Sequence, residues 1–153
     1  MITPPATSDS MQSDMVRHRW TTDRVVAVAV GGVAGATVRW LVQSGWEAGD
    51  FPWPVLALNV AGSFALGVVL AEEWTHPRAR LVLHDLAGIG FCGSLTTFGT
   101  FAVDAAMLLE DDRTGLGIAY LIASPMGTVL AVFAGAAMLR RVRALMLPLE
   151  ERP

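Results

Sequence analysis

Lysine is absent: all eleven basic side chains of the 153-residue chain are arginine. Without it, none of the fifteen glycines belongs to a phosphate-binding loop, which needs that ammonium beside its backbone amides. Charge of either sign is scarce, 16% of residues against 53% hydrophobic, and the mean hydropathy is +0.48. A soluble surface carries more charge than this. The arginines form no stripe interleaved with aromatic platforms, so nucleic acid is not an expected partner. The single cysteine, Cys92, has no partner for an intrachain disulfide or a cysteine-based metal motif, and beside Gly93 it reads as a small packing residue. His18, His76 and His84 stand apart in a tail, a loop and near a helix start, and no His/Asp/Cys cluster resembles a metal site. The expectation is a protein that is not an enzyme.

Long apolar runs are what the chain does have. They extend over residues 25–44, 51–71, 81–109 and 116–139. A spanning helix needs about 20 mainly apolar residues, so the pattern predicts an all-α membrane protein with four transmembrane helices. Residues 1–23 are expected to form a flexible tail, 24–140 the membrane domain and 141–153 a cytoplasmic tail. A signal peptide is not expected, because the first run lies late and is followed by further spans. The joins at 45–50, 72–80 and 110–115 leave no room for a soluble catalytic domain. Pro52 and Pro54 stand at the start of the second run, where a missing amide donor costs least. Pro125 falls inside the fourth and is expected to kink it.

The third run is long and interrupted by Gly88, Gly90, Gly93 and Gly99 and by Thr96, Thr97 and Thr100, which predicts a break in the helix. Unwound backbone at membrane depth must face protein or an aqueous cavity. Polar side chains recur in the other runs. Asn59 lies in an uncharged run, with Ser63 four residues on and on the same face. It either bridges helices or lines a path, and the residues leave both open. Phe98 and Phe101 share a face; they serve as packing aromatics or turn their electropositive ring edges to an anion. Tyr120 and Ser124 extend a polar track in the fourth run, with an interfacial anchor as the other reading of Tyr120. Arg39 either snorkels to an interface or lines an aqueous entrance. Asp85 and Asp104, near opposite ends of the third run, are expected to cap or flank that helix.

Three ordered motifs carry a resemblance. They are Gly31-Gly32-x-x-Gly35-Ala36-x-x-Arg39, Asn59-x-x-Gly62-Ser63-Phe64-x-x-Gly67, and Gly90-Phe91-Cys92-Gly93-x-x-Thr96-Thr97-Phe98-x-Thr100-Phe101. Over residues 24–140 the chain resembles the small bacterial fluoride channels of the CrcB/Fluc family. The resemblance implies an antiparallel, dual-topology-type dimer of four-helix subunits with a broken third helix, in the bacterial plasma membrane. Two fluoride pathways would run at the dimer interface, and flow would be passive. It further implies that Asn59, Phe98 and Phe101 line the pore, with Ser63, Thr97, Thr100, Tyr120 and Ser124 extending it and Arg39 near the vestibule. A structural sodium ion on the dimer axis would be held by the backbone carbonyls of Gly93 and Thr96.

The chain departs from that family's pattern at Pro54 and Val55, at Ser94, at Gly99 and at Pro125. Its arginines are also lopsided. Nine flank the termini and the second join, and one, Arg113, lies on the other side. The positive-inside rule then puts both termini in the cytoplasm. A single orientation in an antiparallel dimer requires an oppositely oriented homologue, so a heterodimer stands beside the homodimer. The alternatives in function are a non-conducting or regulatory half of such a channel, a small membrane scaffold, and a proton-coupled exchanger in which Asp104 would titrate.

Overall fold

The computed structural model describes residues 21–46, 49–72 and 76–146; of the expected tails, 1–23 and 141–153, residues 1–20 and 147–153 lie outside them. Helix α1 is Thr22–Gly45 and α2 is Trp53–Leu70. Helix α3 joins Pro77–Ala79, Arg80–Cys92 and Gly93–Leu95 without interruption; α4 is Phe98–Glu110 and α5 is Thr114–Met146. Among the described residues, four spans are long and apolar enough to cross a membrane: α1, α2, the stretch Arg80–Glu110 formed by α3 and α4, and α5. The chain is a multi-pass, all-α membrane protein whose third span is broken.

Small residues bring the helices together. In lipid there is no hydrophobic force between helices, so association depends on close packing. Ala27, Gly31 and Gly35 form the buried stripe of α1. A Cβ on Gly31 would land on the Leu86 carbonyl, and one on Gly35 on the Phe91 carbonyl. From the facing side, a Cβ on Gly90 would lie 2.6 Å from the Val28 carbonyl oxygen. Backbone therefore meets backbone along α1 and α3. A second seam joins α2 to α5, where Gly67 lies on the Val132 backbone and Gly135 on the Phe64 backbone.

Apolar side chains point outward instead of into a large core. Val33 is 69% exposed, Phe133 66% and Leu130 63%. In water such a surface would aggregate; in a bilayer it meets its solvent. Ion pairs sit at the ends of the bundle. Arg113 pairs with Asp50 at one end, and Arg143 with Glu72 at the other.

One expectation changes. Asp85 does not flank its helix: it is 1% exposed and accepts from Arg24 Nε at 2.6 Å and Nη2 at 2.9 Å, with His84 Nδ1 at 2.9 Å. A buried carboxylate must be paired, and this one ties the start of α3 to the start of α1. Helix α5 runs unbroken through Pro125. Thr128 Oγ1 donates to the Pro125 carbonyl at 2.8 Å.

Candidate functional site

The break between α3 and α4 is two residues long. Thr96 has φ −79° and ψ 152°, and Thr97 has φ −146° and ψ 125°. Two extended residues inside a helix expose backbone donors and acceptors that hydrocarbon cannot satisfy. The neighbouring helices satisfy most of them, and the Thr96 N–H donates to the Cys92 carbonyl of α3 at 3.1 Å. Asn59, from α2, presents its whole amide to Thr97: Thr97 N donates to Oδ1 at 2.8 Å, and Nδ2 donates to the Thr97 carbonyl at 3.1 Å. Arg39, from α1, donates from Nη1 to the Thr96 carbonyl at 3.4 Å. Thr96 turns its own hydroxyl back to the Cys92 carbonyl at 3.1 Å. Thr97 caps α4 by accepting from Thr100 N at 3.2 Å, and the two threonine hydroxyls lie 3.2 Å apart. Gly62 permits this arrangement, because a Cβ there would lie 2.6 Å from Thr96 Cγ2.

A cavity of about 260 Å³ opens beside the break. Its wall brings together Asn59, Ser63, Thr97, Phe98, Phe101 and Ser124, six of the residues that the sequence singled out. Thr96, Pro125 and Thr128 complete it. Thr128 was not anticipated, although it lies one turn beyond Ser124 on the same face and its spacing was there to be read. Among the described residues the wall carries no charged side chain. The hydroxyls of Thr96 and Thr128 are taken by carbonyls. Ser63 and Ser124 line the cavity as hydroxyls without a protein partner among the described residues. Phe98 and Phe101 have ring centroids 5.7 Å apart with planes inclined at 47°, and Phe98 is 79% exposed.

Three expected residues sit elsewhere. Tyr120 is fully buried behind the cavity, with its ring 5.1 Å from that of Phe101 and 5.3 Å from that of Phe51. Its hydroxyl has no hydrogen-bond partner among the described residues. Thr100 is turned to Thr97, and Arg39 reaches the break from α1. Asp104 lines a second cavity of about 480 Å³, with Asp50, Phe51, Asp111 and Arg113, at the end of the bundle where α4 finishes.

The sodium site expected at Gly93 and Thr96 is corrected. Among the described residues no group of three or more His, Cys, Asp or Glu side chains is placed to hold a metal ion. The Thr96 carbonyl, moreover, already faces the Arg39 guanidinium, whose charge repels a second cation on the same oxygen.

Comparison with known proteins fixes the family. The profile described as CrcB-like protein, Camphor Resistance (CrcB), matches residues 26–136. The chain belongs to the CrcB family. It is 36% identical over 130 residues to the fluoride-specific ion channel FluC 1 of Streptomyces coelicolor, covering 82% of this chain and 84% of that one. It is 39% identical over 128 residues to the FluC of Rhizobium meliloti, covering 77% and 97%, and 38% identical over 123 residues to that of Rhodospirillum centenum, covering 76% and 94%. Family membership places the chain with ion channels and not with enzymes.

Proposed function

We propose that the chain is a subunit of a passive fluoride-selective channel, with the cavity beside the helix break as part of the ion path. The observation that carries this reading is the uncharged wall that gathers Asn59, Ser63, Thr97, Phe98, Phe101 and Ser124 from α2, the break, α4 and α5. Relatives named as fluoride-specific channels support it. Fluoride is small and strongly hydrated, so a path must replace its water with donors. The Ser63 and Ser124 hydroxyls and the electropositive edges of Phe98 and Phe101 supply these. No fixed positive charge holds the ion, so it is free to leave. Asn59 acts by holding the break in shape. The negative interior of a cell drives the anion out.

The cavity is open in one chain, with Phe98 exposed on its wall. In this reading a second, antiparallel subunit closes it, giving two paths per dimer. The arginine asymmetry favours an oppositely oriented homologue as that partner, with both termini of this chain in the cytoplasm.

The test is fluoride efflux from liposomes containing the purified protein, alone and with a co-expressed homologue, beside chloride controls and empty vesicles. Fluoride-selective efflux from the chain alone supports the channel and refutes the need for a partner. Efflux only with the homologue supports the heteromeric form. No efflux from folded protein in either case refutes conduction and leaves a scaffold role.

A further inference from the structure

The arginines at the starts of α1 and α3 line none of the cavity beside the helix break. A cavity of about 480 Å³ is set between the starts of α1 and α3 and is lined by Thr21, Asp23, Arg24, Arg78, Arg80 and Asp85. Thr22 and Arg80 are the first residues of the first and third membrane spans, so the cavity lies at the level where a helix bundle meets lipid headgroups. Its charges are unevenly committed. Arg24 grips Asp85 through two nitrogens, which leaves Asp23 as the other carboxylate. Arg78 and Arg80 are exposed and make no ion pair with another described residue. The described wall residues, three arginines and two aspartates, thus have an excess of one positive charge, carried on guanidinium groups that suit phosphate oxygens.

The surface that continues from the cavity into the membrane is apolar on both helices. Val25 and Val26 follow Arg24 on α1 and are 51% and 54% exposed; Val82 and Leu83 follow Arg80 on α3 and are 51% and 42% exposed. A free phosphate would use only the arginines. A phospholipid uses the arginines for its headgroup and these side chains for its acyl chains.

We propose that this cavity is a binding site for an anionic phospholipid, with Arg78 and Arg80 holding the headgroup phosphate. Each arginine near an anionic headgroup contributes about 1 kcal/mol, so removing both should weaken binding roughly 30-fold, about 2 kcal/mol.

The test is native mass spectrometry of the full chain released from detergent with equimolar phosphatidylglycerol and phosphatidylcholine of the same acyl length. Three forms are compared: the wild type, R78Q/R80Q, and R140Q/R141Q, which loses equal charge away from the cavity. The expected result is preferential retention of phosphatidylglycerol by the wild type and R140Q/R141Q, and its loss in R78Q/R80Q. Matched gel-filtration elution and tryptophan fluorescence show that the variants are folded. Equal retention of the two lipids by the wild type overturns the proposal, as does unchanged preference in R78Q/R80Q. A parallel thermal-shift series with inorganic phosphate separates the two sources of the same chemistry. Stabilisation by phosphate equal to that by phosphatidylglycerol overturns the assignment to a lipid.

Discussion

Replacing Asn59 with leucine isolates what the amide does at the helix break. Leucine is close in volume, so little cavity is made. Both bonds to Thr97 are lost, and its N–H and carbonyl are left without their α2 partner. A polar bond between membrane helices is worth about 0.6 kcal/mol on average, because the loosened helices find other partners. Leaving a buried donor or acceptor unpaired costs about 1–3 kcal/mol. The Thr97 groups belong to extended backbone inside a span, where no side chain replaces the amide, so the second figure governs. Two groups partly rescued by cavity water give a loss of about 2–3 kcal/mol. For a chain of this size that lowers the apparent melting temperature by about 5–10 °C. The assay is the loss of the monodisperse gel-filtration peak after heating in detergent. Ser63→Ala, one turn away on the same face and without a protein bond among the described residues, should change stability by less than about 0.5 kcal/mol. If Asn59→Leu melts with Ser63→Ala and the wild type, Asn59 does not hold the break and the argument fails.

Gly31→Val drives a branched side chain into the Leu86 carbonyl and should abolish monodisperse protein, whereas Gly32→Val, which meets nothing within 4 Å, should be tolerated; the yield after gel filtration decides between them. Asp85→Asn should cost about 2–3 kcal/mol, less than a fully buried pair, because part of the Arg24 charge still reaches solvent. R24Q/D85N should recover part of that loss in the same melting assay, and equal melting of single and double variants would refute the coupling. In liposomes, Phe98→Leu or Phe101→Leu should slow fluoride efflux at least about tenfold, the effect of roughly 1.4 kcal/mol at a barrier, with melting temperature unchanged for Phe98→Leu, whose ring is exposed. Unaltered flux would remove the ring edges from the path.

The four spans were legible because their signal is length and apolarity, which need no tertiary context. The break was legible for a related reason: glycines and threonines do not sustain a long helix, and a gap at membrane depth has few uses. Pairing was harder to read. Asn59 reads equally as helix glue and pore lining, and nothing local shows its amide on the Thr97 backbone, a contact that spans 38 positions. Asp85 was misread because nothing local shows that Arg24, 61 positions away, would fold onto it. Tyr120 has the spacing of a polar track, yet packing against Phe51 and Phe101 turned it behind the cavity wall. Periodicity assigns a residue to a face. Which neighbour that face meets depends on the helix order, which the sequence pattern left open.

Orientation is a last consequence of the arginine pattern, and pairing does not weaken it. Arg24 is held by Asp85 and Arg143 by Glu72, so the folded bundle has fewer unbalanced charges than the arginine count suggests. The positive-inside rule acts during insertion, before these pairs exist, and acidic residues contribute little to it. The bias of nine arginines against one therefore applies in full. Expressed in cells on a Cys92→Ala background, a His76→Cys variant should be protected from a membrane-impermeant thiol reagent. A Thr114→Cys variant, at the start of α5 and on the opposite end of the bundle, should be labelled nearly completely. About half-labelling at both positions would show dual insertion. The heteromeric partner would then be unnecessary, because the same chain would supply both orientations.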